Sequence, residues 1–267
     1  MSQSAEMTLS RVREVYSGAE GVLWELLMGQ QIHLGGFKSS MDLAERAGLA
    51  QGLAGVDLCC CNGAGMRFLV RFRGATAMTG VDATPAVIAQ GEARCREEGL
   101  AEAIRYVHSD VCNTPLTSAA ADFVWGEDAW CYVWDKPRLL REAARLLKPS
   151  GCLAFTDWVG GPNPMTSEEL ARFLSFMRFP NIGSLAQYTA WMEAAGFRVE
   201  EATDTGRFAP CVRLYLAMVE QQLTYDALRI LGFDTGALGA IGEEMTFLRD
   251  LAEAGKVIQG RFIARKG

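Results

Sequence analysis

Five short apolar runs, each of a length suited to one β-strand, recur along the middle of the chain. They cover residues 56–61, 77–81, 104–108, 122–125 and 152–157. Stretches with the spacing of an amphipathic helix separate several of these runs, at residues 66–73, 86–97 and 137–147. Because strands alternate with helices, the pattern predicts an α/β fold with a doubly wound, mostly parallel sheet.

The two ends of the chain show a different pattern. The first 50 residues are typical of helices, and a loop rich in glycine and proline follows the fifth predicted strand at residues 160–164. Beyond it we predict helices at 167–178, 185–195, 210–231 and 242–254, and strands at 198–204 and 256–264. We expect the last strand to be antiparallel. The chain therefore divides into an N-terminal helical segment (1–50), a sheet core (51–160) and a helical cap that completes the sheet (161–267).

Composition and charge narrow the classes of partner. Of the 267 residues, 49% are hydrophobic and 22% are charged, a balance typical of a globular protein with a sizeable core. A net charge of −6 disfavours binding to nucleic-acid phosphates and to anionic lipid. No apolar run approaches the roughly 20 residues that span a bilayer, and residues 1–18 contain no apolar segment typical of a secretion signal. We expect a cytoplasmic protein that binds neither nucleic acid nor membranes, while its oligomeric state stays open.

Eight cysteines lie mostly inside apolar runs. The sequence contains no C-x-x-C pair, and its two histidines, His33 and His108, do not have the spacing of a zinc site. We therefore expect reduced thiols and no bound metal ion. The run of three cysteines at residues 59–61 is exceptional in position, because it coincides with the end of the first predicted strand.

Acidic residues lie at or near the ends of the first four predicted strands. They are Asp57, Asp82, Asp110 and the pair Glu127 and Asp128. Ligands of doubly wound sheets bind outside the carboxyl ends of the strands. We therefore expect these carboxylates to border one cleft.

The segment around the first strand end contains Asp57, Cys59, Cys61, Gly63 and Gly65. It resembles motif I of the class I S-adenosylmethionine-dependent methyltransferases, in which an acidic residue precedes x-G-x-G-x-G. Small residues at such a turn let the backbone contact a cofactor closely. The two cysteines stand where the first two glycines are expected, and a residue with a Cβ does not easily adopt a positive φ.

Three further segments extend this resemblance. Asp82 and Ala83 match the family's acidic position after the second strand, which implies hydrogen bonds from both ribose hydroxyls to the carboxylate. Asp110 and Val111 match the position that receives the adenine amino group, and residues 147–151 (LKPSG) resemble the L-K-P-G-G turn before the fifth strand. The resemblance implies a Rossmann-like fold and S-adenosylmethionine as cofactor. The implied cofactor contacts are Asp57, Cys59, Cys61, Gly63, Asp82, Ala83, Asp110, Val111 and Glu127.

The N-terminal segment narrows the resemblance. Tyr16, Trp24 and the loop from His33 to Phe37 are similar to the N-terminal helix and loop of small-molecule methyltransferases, a group that includes sarcosine/dimethylglycine, tocopherol and natural-product enzymes. In that group the tyrosine and the loop close over the methionine end of the cofactor. By position, this implies that Tyr16 and Gly35 contact the cofactor or the transferred methyl, and that the acceptor is a small molecule.

The same resemblance bears on the acceptor. Several natural-product members carry a histidine base in a patch resembling L-H-H-x-x-D, and aligning its aspartate on Asp135 places Cys131 and Tyr132 at the histidine positions. The missing base modestly favours an amine nitrogen as acceptor. The candidate catalytic groups are Glu127, Tyr132 and Tyr16, and the candidate acceptor contacts are His33, Trp130, Arg207 and Arg213.

Alternatives stay open at this point. Methylation of oxygen, carbon or sulfur, or another reaction of the same cofactor, is compatible with the motifs. A non-catalytic ligand-binding module of the same fold is compatible with the two cysteines in the glycine turn. The aromatic candidates are also typical of core packing, and the two arginines of a solvated surface.

Overall fold

The computed structural model describes residue 10 and residues 12–267. Its strands are β1 (Ala54–Leu58), β2 (Ala77–Asp82), β3 (Ile104–His108), β4 (Ala121–Glu127), β5 (Leu147–Gly160), β6 (Phe197–Asp204) and β7 (Val257–Lys266). They form one seven-stranded sheet in the order β3-β2-β1-β4-β5-β7-β6. The first five strands pair in parallel, whereas β7 runs antiparallel to both β5 and β6. The predicted α/β fold with a mostly parallel sheet is confirmed.

Helices flank this sheet and form the two ends of the chain. They lie at Ala19–Met28, Gly36–Arg46, Ala64–Arg73, Pro85–Glu97, Lys136–Leu146, Ser167–Met177, Leu185–Ala194, Phe208–Ala217, Thr224–Ile230 and Thr235–Glu253. Residues 12–17 are also helical. A 3-10 turn at Trp130–Tyr132 and a π-helical turn at Met218–Gln222 complete the set.

Successive residues of β4 show how both faces of the sheet are buried. Phe123 packs in one cluster with Leu69, whereas Val124 packs in another with Leu139. Because side chains alternate between the faces of a strand, helices must cover both sides, as the doubly wound fold requires. A third cluster joins the N-terminal helix to the cap through Trp24, Leu27, Phe173, Met177, Phe208 and Leu248.

Three elements differ from their prediction. The helix predicted at 242–254 begins earlier, at Thr235, and two others change in kind. The turn predicted at residues 148–151 lies inside β5, where Ser150 has a φ of 61° and the pairing with β4 shifts between Ala121↔Leu147 and Phe123↔Cys152. It is a bulge in the strand, because both flanking segments still pair with β4. The helix predicted at 210–231 is broken by the π-helical turn, after which a new helix begins at Thr224.

The registers bring the strand ends to one edge. Leu58 of β1 pairs with Val81, Asp82 of β2 pairs with His108, and Glu127 pairs with Thr156. Within residues 12–267, no helix is long and apolar enough to cross a membrane. The eight cysteines are free thiols, and in the described part of the chain no cluster of acidic, histidine and cysteine side chains has a metal-binding arrangement.

Candidate functional site

A cavity of about 400 Å³ opens at the carboxyl edge of β1, β2 and β4. This volume falls in the range of small-molecule sites. The acids predicted to share a cleft all line it, and one further acid joins them: Asp57, Asp82, Asp110, Glu127, Asp128 and Asp135. The sheet register explains this, because parallel strands end at the same edge.

The turn after β1 is built from two cysteines in the left-handed region. Cys59 has a φ of 66° and Cys61 a φ of 48°. Both cysteines therefore adopt a positive φ that was not expected of residues with a Cβ. Hydrogen bonds hold the turn in this conformation: the Cys59 amide donates to the Val81 carbonyl (2.9 Å) and the Cys61 amide to Asp82 Oδ2 (3.0 Å). Both cysteines line the cavity.

The two glycines of the turn have different roles. Gly63 precedes the helix Ala64–Arg73 with a φ of 73°, and a Cβ there would lie 1.9 Å from the Tyr106 hydroxyl. It lies outside the cavity lining and serves the turn itself. Gly65 lines the cavity, where a Cβ would approach Glu127 Oε2 to 3.2 Å and Asp57 Oδ2 to 3.3 Å.

Burial and mutual repulsion shape the charge of the cavity wall. Burial raises the pKa of Asp57 well above its usual range, and the neighbouring Glu127 and Asp82 raise it further. Burial also raises the pKa of Asp82, although its oxygens accept from the amides of Thr84 (2.8 Å) and Cys61 (3.0 Å). A cation placed in the cavity would stabilise the ionised form of these carboxyls.

Glu127 lies at the centre of a hydrogen-bonded group. It accepts from Ser40 Oγ (2.8 Å) and Trp125 Nε1 (3.0 Å), and His33 Nε2 lies 3.3 Å from its Oε1. His33 is buried and lines the cavity, and its Nε2 also lies 3.2 Å from Ser40 Oγ. These contacts join the loop before the helix Gly36–Arg46 to the end of β4.

Asp128 holds the N-terminal loop against the sheet. It accepts from the amide of Leu34 (2.8 Å) and from Gln259 Nε2 (2.8 Å to Oδ2), so that it connects residues from both ends of the chain. Its own φ of 51° is another left-handed conformation beside the cavity. Asp128 was predicted to border the cleft but not to fix its wall.

Two tyrosines meet in the cavity wall. The hydroxyls of Tyr16 and Tyr132 lie 3.1 Å apart, and the rings pack edge to face with centroids 5.7 Å apart. Burial raises the pKa of both phenols far above their usual range. At neutral pH both are therefore protonated, so each acts as a hydrogen-bonding group and not as a phenolate base.

Several predicted site residues lie away from the cavity lining. Trp130 is fully buried, stacks on Phe155 (4.1 Å between centroids) and donates from Nε1 to the Leu58 carbonyl (3.0 Å). Arg213 is exposed and pairs with Glu253 (3.2 Å). Trp130 and Arg213 therefore contribute to the fold and do not reach the cavity.

The loop glycine Gly35 and the predicted acceptor contact Arg207 pack against each other. Arg207 pairs with Asp42 and lies within 3.3 Å of Ser39 Oγ. Gly35 has a φ of 85°, and its amide donates to the Tyr215 hydroxyl (3.3 Å). The cavity lining contains neither residue.

The remaining predicted contacts reach the cavity, together with residues that the sequence analysis missed. Ala83 and Val111 line it beside the acids that precede them. The residues missed include Gln30, Gln31, Asn62 and Arg138. A signal was present for Asn62, since it lies within the motif turn, but none marked Arg138. Trp125, an aromatic candidate for the cavity wall, does line it.

Residues 56–155 match a protein-family model described as a methyltransferase domain. Among curated relatives, dimethylglycine N-methyltransferase from Parasynechococcus marenigrum is 34% identical over 109 residues, which are 39% of this chain and 37% of the relative. Methyltransferase GfsG from Streptomyces halstedii is 26% identical over 63% of this chain and 61% of its own length. The chain spans less than two thirds of the length of either relative.

Solved structures agree on the architecture. A putative sarcosine dimethylglycine methyltransferase from Galdieria sulphuraria superposes with a TM-score of 0.76 at 22% identity, over 86% of each chain. Phosphoethanolamine N-methyltransferase 2 from Haemonchus contortus, in complex with S-adenosyl-L-methionine, gives a TM-score of 0.83 at 20% identity over all of this chain and 60% of that one. The predicted Rossmann-like fold is confirmed by these likenesses.

Proposed function

We propose that this chain transfers the methyl group of S-adenosylmethionine to a small molecule, and the match of residues 56–155 to a methyltransferase-domain model supports the proposal. The observation that carries the proposal is that Asp57, Asp82, Asp110 and Glu127 converge on one cavity at the carboxyl edge of the sheet. When bound, the cofactor supplies a methyl activated by the positive charge on its sulfur. The protein then has to align the acceptor and exclude water.

The residues present fit this cofactor. The backbone amides of Cys61 and Thr84 each donate one hydrogen bond to a different oxygen of Asp82. Each oxygen therefore keeps a free lone pair, which suits the two hydroxyls of a ribose. Ala83 continues this wall, and Asp110 with Val111 would face the adenine ring. Cys59, Cys61 and Gly65 present a narrow turn beside Asp57, where a cationic sulfonium would be stabilised by the buried carboxylates.

We propose an amine nitrogen as the acceptor atom. Six carboxylates line the cavity, against the single guanidinium of Arg138 among the described lining residues. Such a wall attracts a cationic amine and repels phosphate and carboxylate groups. Glu127 would orient the amine, because its carboxylate is already held by Ser40 and Trp125. An ammonium acceptor first gives one proton to Glu127 or to water, which frees the nitrogen lone pair that attacks the methyl carbon, so the reaction needs no phenolate or histidine at position 132.

Tyr16 and Tyr132 would position the acceptor in this reaction. As protonated phenols, they donate and accept hydrogen bonds but do not remove a proton. Their bond joins the N-terminal helical segment to the turn after β4, so that both hydroxyls face one place in the cavity wall. Aligned hydroxyls at this place would hold an amine lone pair toward the methyl carbon.

One observation favours an oxygen acceptor as the alternative. His33 lines the cavity with Nε2 3.3 Å from Glu127 Oε1, an arrangement in which an imidazole can take a proton while a carboxylate stabilises it. A hydroxyl acceptor would require such a base. The amine remains the main proposal, because Nε2 is the ring nitrogen already engaged by Ser40 and Glu127.

The division of the chain into three segments belongs to this proposal. The first segment would act as a lid, since it brings Tyr16 and His33 to the cavity, and residues 161–267 would form the cap beside the acceptor. Residues 1–9 and 11 of the first segment lie outside the described residues. We place the reaction in the cytoplasm and on a free small molecule, in keeping with the net charge of −6.

The proposal is tested by ligand binding and then by methyl transfer. S-adenosylhomocysteine at millimolar concentration should raise the melting temperature, because it binds the folded state alone, whereas NAD at the same concentration should not. A panel of amines, phenols and thiols is then incubated with cofactor carrying a labelled methyl group. Label in amines supports the main proposal, label in phenols supports the alternative, and no thermal shift contradicts both.

A further inference from the structure

The turn that carries Tyr132 is held from outside the cavity. Residues 130–132 form one 3-10 turn, in which the Tyr132 amide donates to the Ala129 carbonyl (3.2 Å) and the Val133 amide to the Trp130 carbonyl (2.9 Å). A turn this short does not fix its own orientation. The groups that fix it lie in other elements.

Lys136 supplies most of these groups, and it is buried. Its side chain is 1% exposed, although it begins the helix Lys136–Leu146 immediately after an exposed segment. Its Nζ lies 3.0 Å from the Val133 carbonyl and 3.4 Å from the Cys131 carbonyl, on either side of Tyr132. The ammonium thus binds the peptide groups that flank the tyrosine.

Asn181 and Asp157 complete the arrangement. Asn181 accepts from Lys136 Nζ (2.6 Å to Oδ1) and donates from Nδ2 to the Trp134 carbonyl (3.0 Å). Asp157, at the carboxyl end of β5, accepts from the Cys131 amide (2.9 Å) and from the Tyr188 hydroxyl (2.5 Å). Peptide groups of residues 131, 133 and 134 are therefore bound by side chains of three separate elements.

The lysine satisfies buried acceptors at a cost. Transfer of an ammonium into a protein interior costs free energy, whereas an apolar side chain of similar length would avoid that cost but leave the carbonyls of Cys131 and Val133 without this donor. Burial accordingly lowers the pKa of Lys136. The lysine adds hydrogen-bond donors, which point to the backbone carbonyls on both sides of Tyr132.

We propose that Lys136 is a positioning residue, which with Asp157 and Asn181 holds the Tyr132 hydroxyl at Tyr16 for methyl transfer. The inference rests on the proposed function, because its expected effect is on the rate of methyl transfer. Lys136 does not line the cavity and would touch neither cofactor nor acceptor. It acts through the turn, and the cofactor-binding carboxylates Asp82 and Asp110 do not belong to its network.

The test compares Lys136→Met with Lys148→Met. Lys148 also donates to a partner in the sheet, Asp122 (2.6 Å), but it lies at the opposite end of β5 and is 45% exposed. Hydrogen–deuterium exchange of the amides of residues 131–134 should accelerate in Lys136→Met and not in the control. Affinity for S-adenosylhomocysteine should change less than about 2-fold in both variants, whereas kcat of Lys136→Met should fall about 10- to 100-fold, the size of effect that a small misplacement of reacting groups produces.

A double variant decides whether the effect passes through Tyr132. In a Tyr132→Phe background, Lys136→Met should lower kcat by less than about 2-fold further, because the group that it positions is already gone. Multiplicative losses, or unchanged amide exchange, would overturn the inference. If Lys136→Met does not fold, Asn181→Ala takes its place with the same readouts.

The outcomes separate this inference from the proposed function. Unaltered exchange in Lys136→Met with a wild-type protein that binds S-adenosylhomocysteine refutes the positioning role alone. A wild-type protein that fails to bind S-adenosylhomocysteine refutes the proposed function, whatever the exchange rates show.

Discussion

Two sets of buried groups lie near the Tyr132 turn, and they are stabilised in different ways. The cavity set consists of the carboxylates Asp57, Asp82, Asp110 and Glu127, and the inner set of Asp157 with Lys136 and Asn181. Asp57 and Glu127 line the cavity, whereas Asp157 lies in the interior against the Tyr188 hydroxyl and the Cys131 amide. Burial raises the pKa of all three carboxyls. Asp157 has Lys136 as a cationic neighbour, while Asp57 has two further acids, Glu127 and Asp82.

The difference separates positioning from binding. A carboxylate whose oxygens are bonded inside the protein holds its neighbours in place, and it needs no ligand. A carboxylate that faces a cavity among like charges is stabilised most by a cation from outside. Both sets are therefore expected to affect stability, but the inner set alone to control turn geometry and the cavity set alone to control affinity. Each prediction below tests one side of this distinction.

The largest effect is expected from the inner set, as a dependence of stability on pH. Burial raises the pKa of Asp157 to about 6, from an ordinary value of 3.8, against the opposing influence of Lys136 and Tyr188 and with Asp128 also facing it. Between these values the folded protein binds more protons than the unfolded chain, so stability falls as pH rises through this window. The interval corresponds to about 3 kcal/mol. Asp157→Asn should make this fall shallower by about that amount, as measured by urea unfolding from pH 4 to pH 7, because the cavity carboxyls with raised pKa still contribute.

Asp122→Asn is the control, because Asp122 makes stability depend on pH in the opposite direction. Asp122 pairs with Lys148, and its hydrogen bonds hold its pKa below the usual value despite partial burial. Its contribution to stability is therefore lost as pH falls, not as it rises. Equal pH profiles for wild type and Asp157→Asn would show that Asp157 does not titrate in this window.

The next effect belongs to the cavity set and concerns affinity. Asp82→Ala should weaken S-adenosylhomocysteine binding by about 1–3 kcal/mol, because two hydrogen bonds to a partly buried carboxylate are lost. Isothermal titration calorimetry measures the change directly. Asp157→Asn, assayed beside it, should leave this affinity within about 2-fold of wild type. If both variants lose affinity equally, the two sets are not functionally distinct.

The cavity set is also the part of the site that sequence patterns predicted. Asp57, Asp82 and Asp110 lie at or next to strand ends, and the register of a parallel sheet brings such residues together whatever the rest of the chain does. The strand pattern alone therefore placed them at one edge. The π-helical break at Met218–Gln222 was missed because no proline or glycine marks it.

The inner set and its contacts were not predictable in this way. A lysine before a proline at a helix start is typical of an exposed position, yet Lys136 is buried by contacts with Asn181, 45 residues away in the chain. Arg207 likewise pairs with Asp42, a partner that no local pattern indicates. Long-range pairing decided the environment of both side chains, and single-sequence patterns describe only the local one.

A smaller effect is expected in the turn that forms the cavity floor. Cys61 holds a left-handed conformation that costs a residue with a Cβ about 1 kcal/mol, a cost that glycine avoids. Cys61→Gly should therefore stabilise the protein by up to about 1 kcal/mol, less the entropy that glycine adds to the unfolded chain. Denaturant unfolding measures the change. Cys60→Gly is the matched control: Cys60 is buried and has no positive φ, so its substitution should destabilise.

The smallest effect concerns the hydrogen bond that connects the N-terminal segment to the Tyr132 turn. Tyr16→Phe and Tyr132→Phe each remove one hydroxyl of the 3.1 Å pair, so a double-mutant cycle of unfolding free energies should give a coupling of about 0.5–1 kcal/mol. Tyr225→Phe, at a tyrosine that is 68% exposed, should show no coupling with either. Additive losses at Tyr16 and Tyr132 would mean that the two hydroxyls stabilise the fold independently. The inner set would then position a tyrosine that does not depend on the lid.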